Sequence, residues 1–397
     1  MMNTLLTPVR ILSEPRLDGA RLATILRFST RTTDRPLSVV AVVDRFPIER
    51  RSRLLGELGQ HVGVTILDQV SPNPTTSDID SMYRQICQSH FDAVVGIGGG
   101  SVLDSAKAVA MLMQNGGSLE EYLGNAPNRT IGSKGLPLIL IPTTAGTGSE
   151  VTKVGVYTSS TGRKFTLGSP LLLADVAILC GMLTESMPPA LTAAVGFDAL
   201  DHALESIWNR NATPITREAA VIAARKVLHH LEDAYAVSCR LDAPLPDDPQ
   251  IRQSLLEAAC AAGIAFSMTG TAAGHALSFI LSENWHIPHG SACAFTLVEI
   301  FRHALADSTV RETLAQVAAP FFPGTHAPEA LCSLLLGWIV RMKNTMGLPE
   351  TFGKLGVDIQ PQDIEKSFQR AFSDPKMANQ VPVMTPAEVF AMLQAKI

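Results

Sequence analysis

Residues 91–112, FDAVVGIGGGSVLDSAKAVAML, constrain the fold of this chain more than any other stretch. The apolar run Ala93 to Ile97 reads as a buried strand. Gly98, Gly99, Gly100 and Ser101 follow, and then an Ala-rich pattern at helical spacing. Strand, glycine turn and helix start together make an anion site. Without Cβ atoms the backbone can approach a phosphate, and the helix N-terminus offers free N–H groups and a favourable dipole. The motif is neither GxGxxG nor a P-loop, and a GGGS turn by itself also serves as a plain tight turn. Asp104 and Lys107 lie one and two turns into the helix, where the ordinary reading is a surface i, i+3 pair.

A second stretch repeats the arrangement. In LPLILIPTTAGTGSEVT, residues 136–152, a buried strand from Leu138 to Ile141 runs into a loop of small hydroxyls: Thr143, Thr144, Thr147 and Ser149. Two such loops at strand C-termini suit a dinucleotide lying along a sheet edge. Further strand-like runs fall at Val39–Val43, Val64–Leu67 and Val176–Leu179, with helical patterns between several of them, the signature of an α/β unit. Met187-Pro188-Pro189 interrupts this. Beyond it the chain is Ala-rich and periodic at helical spacing, so the boundary is expected there, giving 1–187 as an α/β dinucleotide-binding domain and 188–397 as a helical one. Asp242–Pro249 reads as a Pro/Asp loop between helices.

The helical part holds the second chemical feature. Asp198 and His202, in GFDALDHALES, leave one helix face a turn apart. His275 and His289 lie in GHALSFILSENWHIPHG. One carboxylate and three imidazoles suit one divalent ion, with a position left for substrate. An Asp/His pair at this spacing is also a common satisfied helix pair. The 397 residues, 46% hydrophobic and 17% charged, suffice for two cores. A net charge of −5 leaves no footprint for nucleic acid. No apolar run reaches a membrane span, and no signal peptide is read at the N-terminus. The six cysteines show no CxxC, which fits a reducing cytoplasm.

GGGSVLDSAKAVA, IPTTAGTGSEVT, GFDALDHALE and HIPHG, in this order and spacing, resemble the iron-dependent (group III) alcohol dehydrogenases across essentially the whole chain. The resemblance implies an α/β N-terminal Rossmann-like domain plus an all-α C-terminal domain, the dehydroquinate synthase-like architecture. It places Asp198, His202, His275 and His289 on the metal-ligand positions and Gly99, Gly100 and Ser101 on the pyrophosphate turn. Asp104, Thr143, Thr144, Thr147, Lys164 and Leu183 fall on positions that line the cofactor. Ser71–Thr75, SPNPT, matches an adenine-side loop. A homodimer through the N-terminal β-segment near Thr7–Leu12 is also implied. Three departures stand out. Many members carry a histidine where this chain has Phe279, which removes a proton relay there; His286 is the candidate substitute, with a solvated loop histidine as the alternative. Val154 stands where some relatives have Asn. Leu179-Cys180-Gly181 replaces a strand-ending Asp-Pro.

The first expected strand ends at Asp44, an acid that can accept from a ribose 2′-hydroxyl and so favours NAD. Arg45, Arg50 and Arg51 follow and suit the 2′-phosphate of NADP instead. The ligand set suits Fe²⁺, which the family name favours, and Zn²⁺ as well. The expected reaction is reduction of an aldehyde to a primary alcohol, with the metal polarising the carbonyl oxygen and hydride coming from the nicotinamide in the cleft between the domains. The stretches ALESIWNRNATPIT and HALSFILSENWHIPHGSACA resemble the branch that reduces phosphonoacetaldehyde to 2-hydroxyethylphosphonate in phosphonate biosynthesis. Asn209, Arg210 and Asn211, with Lys153, are the expected donors to the phosphonate. The competing readings are a general short-chain alcohol or diol dehydrogenase and, more distantly, a dehydroquinate synthase-type lyase.

Overall fold

The structure, a computed structural model, describes residues 8–32, 35–124, 126–240 and 249–397. The chain forms two compact units. The first is built on a six-stranded parallel sheet in the order β1-β8-β5-β4-β2-β3. Its strands are β1 (Arg10–Ser13), β2 (Ser38–Asp44), β3 (Gly63–Val70), β4 (Ala93–Gly98), β5 (Leu138–Pro142) and β8 (Val176–Leu179). Between them run the helices α1 (Gly19–Thr30), α2 (Glu49–Leu58), α3 (Thr76–Ile86) and α4 (Gly100–Asn115). Every residue of β4, β5 and β8 is buried. Strands covered on both faces carry continuous apolar runs rather than alternation, which is why four of the five expected strands are legible as such runs; the fifth, in β3, is a mostly exposed edge strand. Val39, Val95, Ile97, Ile139 and Ile178 pack into one core with Leu22, Leu26 and Leu58 from the helices.

An antiparallel hairpin, β6 (Val154–Thr158) with β7 (Lys164–Gly168), was not expected. Its strands are short and only half buried, so their pattern is weak. Lys107 also departs from expectation. It is no surface residue: its relative exposure is 1%. Its ammonium donates to Ser149 Oγ (2.7 Å), Thr152 Oγ1 (3.1 Å) and the Val154 carbonyl (2.7 Å). It ties α4 to the hydroxyl loop and to the start of the hairpin.

The second unit is helical: α5 (Pro189–Ile207), α6 (Pro214–Ser238), the end of α7 (Pro249–Thr269), α8 (Ala273–Trp285), α9 (His289–Ala304), α10 (Ser308–Ala318), α11 (Pro328–Thr345), α12 (Ile364–Phe368) and α13 (Pro386–Gln394). The division differs from a single cut at 187/188, because α7 up to Cys260 belongs to the sheet unit. The reason is local. The Gln253 amide accepts from Gly181 N (2.7 Å) and donates to Leu179 O (3.0 Å), while Glu257 accepts from Ser13 Oγ (2.9 Å). A Cβ at Gly181 would meet Gln253 N at 2.7 Å. Gln253 thus caps the end of β8 in a chain that lacks the usual Asp-Pro there. Residues 241–248, most of the expected Pro/Asp loop, and Thr7 of the expected dimer segment lie outside the described residues.

Within the helical unit, α5 is buried along nearly its whole length. Two glycines permit this. A Cβ at Gly196 would collide with Leu231 at 2.2 Å, and one at Gly290 with the Ala194 carbonyl at 2.2 Å. α6 and α9 therefore close directly onto α5, and α9 brings its first residue, His289, beside Asp198.

Candidate metal centre and dinucleotide loops

Asp198 and His202 project from the buried helix α5, His275 from the first turn of α8, and His289 is the first residue of α9. Asp198 Oδ1 lies 3.6 Å from His202 Nδ1, 3.6 Å from His275 Nε2 and 3.6 Å from His289 Nε2. Two metal–ligand bonds of about 2.1 Å at a tetrahedral angle separate their donors by about 3.4 Å. Asp198, His275 and His289, with Cys293 as a fourth donor, bring their ligand atoms within 4.8 Å of one another, a spacing that fits one small divalent cation, and His202 approaches the same Asp198 oxygen. A second observation agrees: Asp198 Oδ1 and His275 Nε2 are buried without a hydrogen-bond partner among the described residues, a costly arrangement unless a cation completes it. The Asp198, His202 and His275 side chains are 3%, 6% and 4% exposed, whereas His289 is 32% exposed. The cluster is thus open on the His289 side.

Electrostatics follow from this packing. Burial works against ionisation of Asp198, but His202, His289 and His275 outweigh it and hold the carboxyl below its ordinary range. Burial likewise opposes a charge on His275, yet Cys293, Glu205 and Asp198 carry its pKa well above the usual value. Cys293 sits one turn past His289 with Sγ 3.8 Å from Nε2, and burial pushes its thiol up to about 12.

Two acids beneath His275 were not singled out from the sequence. Glu205 Oε2 meets His275 Nδ1 at 2.8 Å and also accepts from Ala272 N (2.6 Å), and Oε1 accepts from His275 N (3.2 Å). Asp201 Oδ2 lies 3.3 Å from the same Nδ1. Burial and the neighbouring Glu205 raise the Asp201 pKa well above normal. The signal was present, since Asp198, Asp201, His202 and Glu205 recur at helical spacing on one otherwise apolar helix.

In the sheet unit, Gly99 caps α4 and Gly100 begins it. A Cβ at Gly100 would meet Thr147 at 2.7 Å, so the two glycine loops lie against each other. Ser101 Oγ accepts from Asn73 N (3.3 Å), and Lys164 donates to Asn73 Oδ1 (2.8 Å). Asn73 itself holds a positive φ of 55°. The SPNPT loop, the glycine turn and Lys164 thus converge. Thr143 and Leu183 are buried in the chain's own packing, and Thr144 is half-buried. Asp104 has a structural part: it accepts from Ser149 Oγ (2.6 Å) and Val156 N (2.9 Å). At the end of β2, Asp44 accepts from buried Arg51 (3.0 Å), and Arg50 pairs with Glu185 (2.6 Å). Asp44, Arg45, Phe46 and Asp68 help line an open hollow of about 470 Å³.

Other expected residues are placed differently. His286 is exposed and holds a left-handed φ of 56° as the C-cap of α8. Among the described residues no hydrogen bond joins its ring to the cluster, so this position fits the solvated loop alternative. Asn209 and Asn211 spend their amides on backbone, donating to Gly270 O (3.0 Å) and Thr269 O (2.9 Å). Arg210 and Lys153 are exposed. Phe279 packs 6.1 Å from the His289 ring.

A parallel nucleotide-binding sheet and a buried Asp/His cluster in a helical unit define a metal- and dinucleotide-dependent oxidoreductase. Known proteins agree. A family model described as iron-containing alcohol dehydrogenase matches residues 23–180, and the C-terminal model of the Fe-containing alcohol dehydrogenase family matches 192–397. The chain is 35% identical over 300 residues to long-chain-alcohol dehydrogenase 1 of Geobacillus thermodenitrificans, covering 74% of this chain and 72% of that one. Its fold resembles a 1,3-propanediol oxidoreductase, with TM-score 0.89 and 26% identity over all of both chains. It also resembles a sulfoacetaldehyde reductase from Bifidobacterium kashiwanohense in complex with NAD⁺, with TM-score 0.86 and 29% identity over 100% of this chain and 99% of that one. The chain belongs to the iron-containing alcohol dehydrogenase family. It is an alcohol dehydrogenase that uses NAD and a divalent metal, and the lyase reading falls away.

Proposed function

We propose that the chain reduces a short aldehyde carrying an anionic head, phosphonoacetaldehyde to 2-hydroxyethylphosphonate, with Fe²⁺ and NADH. The metal part of this reading rests on the buried acceptor and imidazole nitrogen that lack hydrogen-bond partners at 3.6 Å from each other. Asp198, His202, His275 and His289 would hold the ion, which when bound supplies Lewis acidity at the carbonyl oxygen. The protein's own residues do the rest. Glu205 holds the His275 ring so that Nε2 faces Asp198. The free N–H groups at the start of α4, with Ser101 and Lys164, receive the dinucleotide's phosphates. Asp44 accepts from the ribose hydroxyl, and two of the three neighbouring arginines, Arg51 and Arg50, are engaged by Asp44 and Glu185, with Arg45 3.8 Å from Asp68, which favours NAD over NADP. Phe279 keeps water and proton traffic off its side of His289.

The substrate part draws support from the WNRNATP stretch and from the likeness to a reductase of sulfoacetaldehyde, a two-carbon aldehyde with an anionic head. The test is NADH oxidation by Fe²⁺-loaded protein with phosphonoacetaldehyde, sulfoacetaldehyde, propanal and butanal. The expected result is a kcat/KM preference for phosphonoacetaldehyde of about a hundredfold over the neutral aldehydes. Equal or better rates with the neutral aldehydes would return the enzyme to a general alcohol dehydrogenase. We also propose a homodimer formed through the β1 edge and a cytoplasmic location.

A further inference from the structure

Deepening the proposed anionic-aldehyde reading, on which it rests, we infer that Lys376 is the residue that binds the anionic head of the substrate. Lys376 lies in the short turn Pro375–Asn379, which packs on α8, the helix that carries His275. Its ammonium sits 4.1 Å from the centroid of the Phe279 ring, and that ring lies 6.1 Å from His289, the open member of the metal cluster. One aromatic ring is therefore shared as a neighbour by the cation and by the open side of the metal cluster, which puts a charged substrate head on Lys376 within reach of the metal centre.

The rest of the unit holds this lysine in place. Its side chain is only 19% exposed, a costly state for a flexible charged chain unless its position is used. Asp374 fixes the turn by accepting from Lys376 N (2.9 Å) and pairs with Nζ (2.9 Å). An ammonium has three donors, and Asp374 engages one. The aromatic face at 279 supports the cation from below. An imidazole at that position, when protonated, would repel it. Arg370, the neighbouring cation on the same stretch, is already paired with Glu283.

The WNRN signature also finds its task here. Arg210 N donates to Asn379 O (2.8 Å), Asn211 Nδ2 reaches Asn379 Oδ1 (3.3 Å), and Val381 N donates to Trp208 O (2.9 Å). Asn379 Nδ2 in turn donates to Thr271 O (2.8 Å), just before α8. Asn209, Arg210 and Asn211 do not themselves hold the anion. They clamp the turn that presents Lys376 on the Phe279 ring.

The test uses the full-length metal-loaded enzyme with Lys376→Gln and Lys376→Arg. Substrates are phosphonoacetaldehyde, sulfoacetaldehyde and propanal, and ethylphosphonate serves as a dead-end inhibitor of propanal reduction. Loss of a charge-assisted hydrogen bond to a buried anion is expected to lower the anionic-to-neutral ratio of kcat/KM about ten- to a hundredfold in the Gln variant. The loss should appear mainly in KM. The Arg variant should recover most of it. Ethylphosphonate should compete with propanal in the parent enzyme and do so about tenfold more weakly in the Gln variant. If phosphonoacetaldehyde proves a poor substrate but this inhibition pattern holds, the substrate proposal fails and the Lys376 assignment stands for another anionic aldehyde. An unchanged ratio, parallel losses on charged and neutral substrates, or inhibition that is absent or indifferent to Lys376→Gln would overturn the assignment.

Discussion

Glu205 shows how a residue can matter without facing substrate. Its carboxylate accepts from His275 Nδ1 and from two backbone N–H groups at the start of α8. A histidine whose second nitrogen is held this way presents the first in one orientation and with greater basicity, and such partners typically contribute ten- to a hundredfold in metal affinity. Glu205→Gln keeps the shape and weakens the acceptor. Chelator competition for Fe²⁺ or Zn²⁺ should then show binding weaker by about ten- to a hundredfold. Unaltered affinity would leave Glu205 a role in helix packing only. The residue was legible in hindsight as the last of four polar positions on one helix stripe, but its partner, 70 positions further on, was not.

At the scale of elements, the loop after β5 is organised around two buried charges. Lys107 reaches into it from α4, and burial lowers the lysine's pKa. Glu150, at the end of the loop, has no hydrogen bond to Oε1 among the described residues, and burial raises its pKa to about 7. The sign of the pH effect follows from linkage. An acid whose folded pKa is raised binds its proton more tightly when folded. Its contribution is complete below the unfolded value of 4.5 and is lost as pH rises through about 7. Glu150→Gln should therefore remove a decline in Tm between these limits, with the variant gaining stability relative to the parent as pH rises. Thermal unfolding of both proteins across this range measures it, and parallel curves would show that Glu150 is not the titrating group. The β6–β7 hairpin that anchors this loop illustrates the limit of pattern reading: half-buried five-residue strands signal weakly, whereas β4 and β5, covered on both faces, signal strongly.

For the whole molecule, the six-stranded sheet ends in two edges: β3, where Ile66 is 53% exposed, and, on the side of the expected dimer segment, β1. It pairs only with β8 in the sheet order, and Ile11 on it is 37% exposed. An open strand edge with an exposed apolar side chain invites pairing with a second copy. Light scattering after gel filtration should give a dimer, and Ile11→Lys should shift it toward monomer. A parent protein that elutes as a monomer would remove β1 from the argument. Among the described residues no single helix is long and apolar enough to cross a membrane.

The sequence by itself determined the parallel sheet, the glycine turns and the family, because apolar runs, backbone freedom and spaced motifs are local properties. It also carried Asp198, His202, His275 and His289 through the resemblance. Only the tertiary structure decided what the other polar residues do. It buried Lys107 under a loop more than 40 positions away. It spent Asn209 and Asn211 on backbone carbonyls, left His286 capping a helix, and brought Lys376 onto Phe279. Each of these outcomes depends on which distant segment fills the space beside a side chain. That is set by the packing of α5, α8 and α9 and the turn at Pro375–Asn379, and no local pattern encodes it.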